Sequence, residues 1–124
     1  MIDFKNTAFL KLRPVEVTEY AKLIAPMAVE GETILGSYRG IRDGVVFTNK
    51  RIFAINIQGV TGKKKDITSL PYSKIQAYSV ETAGVLDLDS ELDLWFSGMG
   101  RIRFEFVSRC NVADICKMIS EQVL

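Results

Sequence analysis

Gly44-Val45-Val46-Phe47-Thr48-Asn49-Lys50-Arg51-Ile52-Phe53-Ala54-Ile55-Asn56-Ile57 decides the architecture of this chain. Two runs rich in β-branched and aromatic residues flank the polar corner Thr48-Asn49-Lys50-Arg51, which is the composition of a β-hairpin. From Thr33 onward the apolar period is two. The pattern predicts strands over residues 34–41, 45–48, 52–58, 65–70 and 74–82. Asp43-Gly44 reads as a hairpin turn, because both residues tolerate positive φ. Pro71 ends the fourth strand, since proline cannot donate to a ladder.

A last hairpin follows. Leu92, Leu94 and Phe96 alternate with Glu91, Asp93 and Trp95, and Ile102, Phe104 and Phe106 alternate with Arg101, Arg103 and Glu105. A three-residue loop at Gly98-Met99-Gly100 sets Phe96 opposite Ile102 and Leu94 opposite Phe104, so both apolar rows share a face. The same register brings Trp95 opposite Arg103 and Asp93 opposite Glu105. A one-residue slip would turn three large apolar side chains into water, at roughly 1.5–3 kcal/mol each. Residues 111–123 then read as an amphipathic helix, with Val112, Ile115, Cys116, Ile119 and Val123 on one face. Asn111 is its N-cap, and Asp114 places a negative charge in the first turn. Cys110 and Ile115 hold the positions of a hydrophobic staple. Seven strands and one closing helix predict a mainly β fold with α, a partly open β-barrel capped by a C-terminal α-helix.

Residues 1–30 follow a different pattern. Phe4, Ala8 and Leu12 recur every fourth position, a helical signal broken at Pro14. Thr18 can cap a second short helix over residues 19–25, stopped near Pro26. Its stripe of Tyr20, Leu23, Ile24 and Met27 must pack on the β part or on another copy of the chain. The chain therefore divides into a helical N-terminal extension, 1–30, and the β domain with its helix, 31–124.

A length of 124 residues suits one hydrophobic core without staples. Sixteen basic against fifteen acidic residues leave a net charge of +1, unlike the strongly basic balance of a nucleic-acid binder. Two cysteines, Cys110 and Cys116, are too few for a secreted disulfide scaffold, and no signal segment or membrane span is read. The expectation is a soluble cytoplasmic protein of a reducing compartment. Histidine is absent, which removes the most common general base and metal ligand. We expect no enzymatic activity, no cofactor and no metal.

The motifs resemble the bacterial pleckstrin-homology family, once known only as a domain of unknown function. The matching stretches are Gly31-Glu32, Arg42-Asp43, Val46-Phe47-Thr48-Asn49-Lys50-Arg51, Gly59-Val60-Thr61-Gly62-Lys63-Lys64 and Leu70-Pro71-Tyr72. They continue through Ser79-Val80-Glu81-Thr82-Ala83-Gly84, Asp87-Leu88-Asp89, Glu91-Leu92 and Leu94-Trp95-Phe96-Ser97-Gly98. The resemblance implies a pleckstrin-homology-like fold of seven strands and a helix, a bacterial source, and a non-enzymatic interaction or scaffold module. It also implies ring-shaped homo-oligomers, with five the expected subunit number, and carries no known ligand.

The candidate partners are therefore a second copy of the chain, another protein, and weak contact with an anionic membrane. Basic residues near the early strand loops bind lipid headgroups in eukaryotic relatives of the superfamily. Lys63, Lys64 and Lys65, with Lys50 and Arg51, are the candidate anion site here. Each lysine near an anionic surface supplies ~1 kcal/mol, short of a millimolar affinity unless several copies act together. Trp95, Arg103, Tyr20 and Met27 are candidate oligomer-interface residues, Trp95 also being placed to pair with Arg103. The stretch 59–64 fails as a phosphate loop, because Ile57 stands where the first glycine belongs and Lys64 where Ser or Thr belongs. Asp87, Asp89, Glu91 and Asp93 fail as a calcium loop, because Leu92 replaces its glycine and Gly98 its final glutamate.

Overall fold

The first strand of the fold lies where the local pattern reads as helix. In a computed structural model describing residues 1–7, 9–81 and 89–124, Phe9–Val15 form strand β1. Phe9 pairs with Phe104 and Leu12 with Phe106, so three steps on β1 span two on the partner strand. The extra residue is a bulge, marked by Lys11 at φ 56°. Phe9 and Leu12 thus point to the same side three residues apart, and a helical spacing arises from a bulged strand. Ala8, part of that helical signal, lies outside the described residues.

The order continues as α1 (Ala21–Ile24), β2 (Ile34–Arg39), β3 (Asp43–Thr48), β4 (Arg51–Gln58) and β5 (Lys64–Pro71). A 3₁₀ turn, Tyr72–Lys74, leads to β6 (Ile75–Glu81), β7 (Ser90–Phe96), β8 (Gly100–Phe106) and α2 (Val112–Val123). The expected end of the β6 strand at Thr82, and Ala83-Gly84 after it, lie outside the described residues. The strands form one sheet in the order β5-β4-β3-β2-β1-β8-β7-β6. The β1–β8 pair is parallel and the other neighbours are antiparallel. Among the described residues eight strands therefore stand where seven were expected, and β1 joins two antiparallel halves that share no other ladder there.

Two apolar clusters cover the sheet. On the inner face Phe9, Leu12, Phe47, Ile52, Leu70, Leu94, Phe104 and Phe106 pack with Val112, Ile115 and Ile119 of α2. Helix α2 closes this face against the Tyr72–Lys74 turn and β6. As expected, Asn111 caps it by accepting a hydrogen bond from the Asp114 N–H at 3.2 Å. On the outer face Tyr20 and Ile24 pack on Val46, Phe53 and Ile55. All six residues of β3 are buried. That double burial explains why Val45-Val46-Phe47 and Ile52-Phe53-Ala54-Ile55 are continuous apolar runs rather than alternating ones.

Three local expectations change. Helix α1 is a single turn, shorter than the expected 19–25, and its Tyr20 N-cap makes no side-chain capping bond. Thr18 contributes only its carbonyl, which accepts from the Ala21 N–H. Asp43-Gly44 is not a turn: both residues lie in β3, opposite Asn56 and Ile55, and the reversal is closed by the Gly40 N–H donating to the Asp43 carbonyl at 2.8 Å. Gly44 is needed instead for contact, because a Cβ there would lie 2.5 Å from the Tyr20 ring tip.

The β7–β8 register also differs by two residues, with Phe96 opposite Gly100, Leu94 opposite Ile102 and Leu92 opposite Phe104. The turn closes earlier, through the Met99 N–H and the Phe96 carbonyl, with Gly98 and Gly100 both at positive φ. A two-residue shift preserves the faces, so both apolar rows stay inward. It changes the charged row: Trp95 lies opposite Arg101, Asp93 opposite Arg103 and Glu91 opposite Glu105.

Gly40 and Gly44 separate two kinds of crowding. A Cβ at Gly40 meets the Leu10 backbone carbonyl at 2.7 Å, whereas at Gly44 it meets the tip of the Tyr20 side chain rather than backbone. Overpacking costs about 1–3 kcal/mol, and backbone yields least. Gly40→Ala is expected near the upper end of that range and Gly44→Ala near the lower. Urea titration of both variants checks this, and equal midpoints would contradict it.

Candidate functional site

The Thr48-Asn49-Lys50-Arg51 corner is a knot rather than an open basic site. The Thr48 hydroxyl donates to Glu32 Oε2 at 2.7 Å and accepts from the Lys50 and Arg51 N–H groups. Asn49 pins the preceding segment, accepting from the Thr33 N–H at 2.8 Å and donating to the Gly31 carbonyl at 2.9 Å. Arg51 Nε and Nη2 donate to the two Glu32 oxygens at 3.0 and 2.8 Å. Its remaining bonds go to the Met27 carbonyl and Ser69 Oγ, and its guanidinium lies 4.3 Å from the Phe53 ring centroid. The Tyr72 hydroxyl closes the knot by donating to the Thr48 carbonyl at 2.7 Å.

Arg51 is therefore committed to Glu32 and unavailable to an external anion, which corrects its placement among the anion-site residues. The signal for this partner was the Gly31-Glu32 pair, but nothing in its spacing names Arg51. The Glu32 side chain is only 2% exposed. The Arg51 hydrogen bonds pull its carboxyl down from an ordinary 4.5 to about 2, against the opposing effect of burial. Burial pushes the Tyr72 hydroxyl upward.

The remaining basic candidates do not converge. Lys50 is exposed at the β3–β4 corner, while Lys63, Lys64 and Lys65 are exposed at the opposite end of the β4–β5 ladder. Seven strand steps of ~3.3 Å put these groups about 23 Å apart. Lys64 and Lys65 are successive strand residues and point to opposite faces. Lys65 Nζ also reaches the Gly62 carbonyl at 3.3 Å.

The candidate interface residues are likewise dispersed. Tyr20 is buried within its own chain against Val46, Phe53 and Ile55, so it offers no surface to another copy. Burial raises its hydroxyl pKa. Met27 is 38% exposed. Arg103 does not stack on Trp95. It grips Asp93 through Nε and Nη2 at 2.7 and 3.0 Å and reaches Glu91 through Nη1 at 3.1 Å, a consequence of the two-residue register shift. Arg103 accordingly holds the Asp93 carboxyl below its ordinary value. Trp95 is left 44% exposed on the outer face.

The acidic alternation is used in ion pairs: Asp89 binds Lys11, and Glu91 and Asp93 bind Arg103. Asp87 lies outside the described residues. Among the described residues no cluster of three metal-ligating side chains occurs, and no helix is long and apolar enough to cross a membrane. Cys116 is buried and Cys110 half-buried, and burial pushes both thiols up, away from nucleophilic chemistry. Among the described residues the surface carries several grooves. One of about 350 Å³ runs between Ile2, Phe4 and Lys5 and the β7–β8 turn at Met99 and Arg101. Another, about 290 Å³, lies between β6 and the end of α2.

A bent sheet closed by a C-terminal helix, with chemistry held in structural pairs and apolar grooves at its margins, defines a pleckstrin-homology-like domain. The bacterial PH domain profile matches residues 3–123, and the chain belongs to that family. It is similar to YjqA of Bacillus subtilis (strain 168), with 40% identity over 78% of this chain and 79% of that protein. YozO of the same organism is 29% identical over 83% of this chain and 89% of its own length. Among solved structures, a DUF1696-family protein with a pleckstrin-homology domain from Shewanella loihica PV-4 aligns with a TM-score of 0.82 and 40% identity, covering 93% of this chain and 99% of that one. A pleckstrin homology domain from Shewanella amazonensis SB2B aligns at 0.70 and 37%, covering 96% and 93%.

The Glu32 carboxyl titrates lower folded than unfolded. Its stabilising effect is therefore full above about pH 4.5 and is lost as pH falls toward 2. That loss amounts to about 3 kcal/mol. Glu32→Gln is expected to lower stability at neutral pH by about 3 kcal/mol, because it leaves Arg51 partly buried without its charge partner. It should also flatten the loss between pH 4.5 and 2. Denaturant titrations across that range check both effects.

Proposed function

We propose that this chain is a non-enzymatic interaction module that acts as a ring-shaped homo-oligomer of about five subunits. The observation that carries this reading is apolar surface left along the segment that leads from α1 into β2. Met27 is 38% exposed, Val29 54% and Leu35 44%. Exposed apolar side chains gathered on one flank mark interaction surfaces. Family membership supports the same reading. Met27, with Trp95 on the other half of the sheet, forms the proposed contact. A closed ring needs two different surfaces per subunit, and these lie on different halves of the fold.

A second reading is favoured by Lys63, Lys64 and Lys65, which are exposed and have no carboxylate partner among the described residues. These lysines suit weak contact with an anionic membrane. Because Lys64 and Lys65 face opposite ways, at most two of the three meet a flat surface, for ~2 kcal/mol per subunit. Only a ring presenting several copies together reaches useful affinity.

Native mass spectrometry and light scattering test the oligomer. The expected result is one closed species of several subunits, with Met27→Glu reducing the subunit number. A monomer at micromolar concentration would overturn the proposal. Co-sedimentation with phosphatidylserine vesicles, compared between the wild type and a triple lysine-to-glutamate variant at 63–65, tests the second reading. Equal binding by the two proteins would remove it.

A further inference from the structure

The two edges of the sheet are protected very differently. Edge strand β5 carries Lys64, Lys65 and Asp66 and ends at Pro71, the usual defences against an added strand. Edge strand β6, Ile75–Glu81, carries no lysine or proline and a single charge at its end. Six of its seven residues are exposed, and among the described residues no strand pairs with its outer side. Tyr78 and Val80 lie opposite the core residues Leu94 and Leu92, so they point inward, yet they are 39% and 37% exposed. Beside them lies the 290 Å³ groove, lined by Ile75, Ala77, Tyr78, Ser120, Val123 and Leu124. The Tyr78 and Ser120 hydroxyls, 2.8 Å apart, tie its two walls together.

On the outer face small Ala77 lies opposite Trp95, so the indole is open toward the edge. One end of that face is acidic: Glu81 is opposite Glu91, and Glu91 is opposite Glu105. Directly opposed like charges are destabilising, and among the described residues Arg103 forms its ion pairs with Glu91 and Asp93.

We propose that β6 receives an extended segment of a partner protein, apolar at alternate positions and basic where it passes Glu81. Only an extended chain satisfies the row of β6 backbone groups while setting every second side chain into the groove. Trp95 covers its opposite face, and a cation beside Glu81 relieves the glutamate row. With the inner faces aligned, the β5 edge of a second copy would turn Lys64 and Asp66 toward the apolar groove, and burying those charges is unfavourable. Pairing through a second copy's β6 edge is separated by the subunit-number measurement below. Because Trp95 is also assigned to the ring contact proposed above, subunit number is followed in the same titrations.

The experiment selects phage-displayed random linear peptides on the full-length protein. Enriched peptides are expected to alternate apolar residues and to carry a flanking Lys or Arg. Titration should shift the fluorescence of Trp95, the chain's single tryptophan, and hydrogen exchange should slow at the β6 amides. Val80→Lys should weaken binding roughly tenfold with an unchanged urea midpoint, and Glu81→Lys should weaken it for the basic peptides. Three results would each overturn the proposal: no enrichment over a blank support, peptides that leave β6 exchange and Trp95 unaffected, or binding undiminished in a folded Val80→Lys protein. A fall in subunit number in Val80→Lys would also overturn it, assigning the edge to a second copy. Should that variant fail to fold, wild-type exchange and fluorescence still decide.

Discussion

A single bulged strand holds the molecule together. β1 pairs in parallel with β8 and antiparallel with β2, so it is the ladder between the β2–β5 half and the β6–β8 half. The Lys11 bulge lets Phe9 and Leu12 both enter the inner core. There Phe9 meets the Phe104 ring edge-on at 5.2 Å, and the Leu12 carbonyl accepts from the Val107 N–H beyond β8. Without β1 each half would expose a row of unpaired backbone groups and part of its apolar face.

The second constraint is burial of β3 and β4 on both sides. The inner face packs under α2, and the outer face is covered by Tyr20 and Ile24 from the short α1 segment. One helical turn is too short to be stable alone, so α1 exists because its apolar side chains have somewhere to go. The Glu32–Arg51 pair fixes the segment between α1 and β2 over the β3–β4 corner. The Thr48-Asn49-Lys50-Arg51 motif is in this way a structural clamp. Charge and apolar surface that folding does not consume remain at the margins of the sheet.

A family fold built around structural pairs, with differently composed edges, is suited to recognition by contact. The defended β5 edge and the undefended β6 edge give the sheet a polarity, so its two ends present different chemistry to a partner. Burial of Cys116 and partial burial of Cys110 push both thiols upward, and Arg51 turns inward to Glu32.

The strands of the β3–β4 and β7–β8 hairpins, the closing helix with its Asn111 cap, and the family itself were legible in the amino-acid order. Their signals are local: apolar runs, period-two alternation and a capping residue within three positions of its target. The role of β1 was not legible, because a bulge makes a strand imitate helical spacing. Nor was the inward turn of Arg51, whose partner Glu32 lies 19 residues away, or the part of Gly44, which makes room for Tyr20 across the sheet. The β7–β8 register escaped because a two-residue shift leaves every apolar side chain on its proper face, and only turn geometry decides between the alternatives. The groove between β6 and α2 joins residues more than forty positions apart. Such features depend on which surfaces meet in space, and only the packed sheet brings them together.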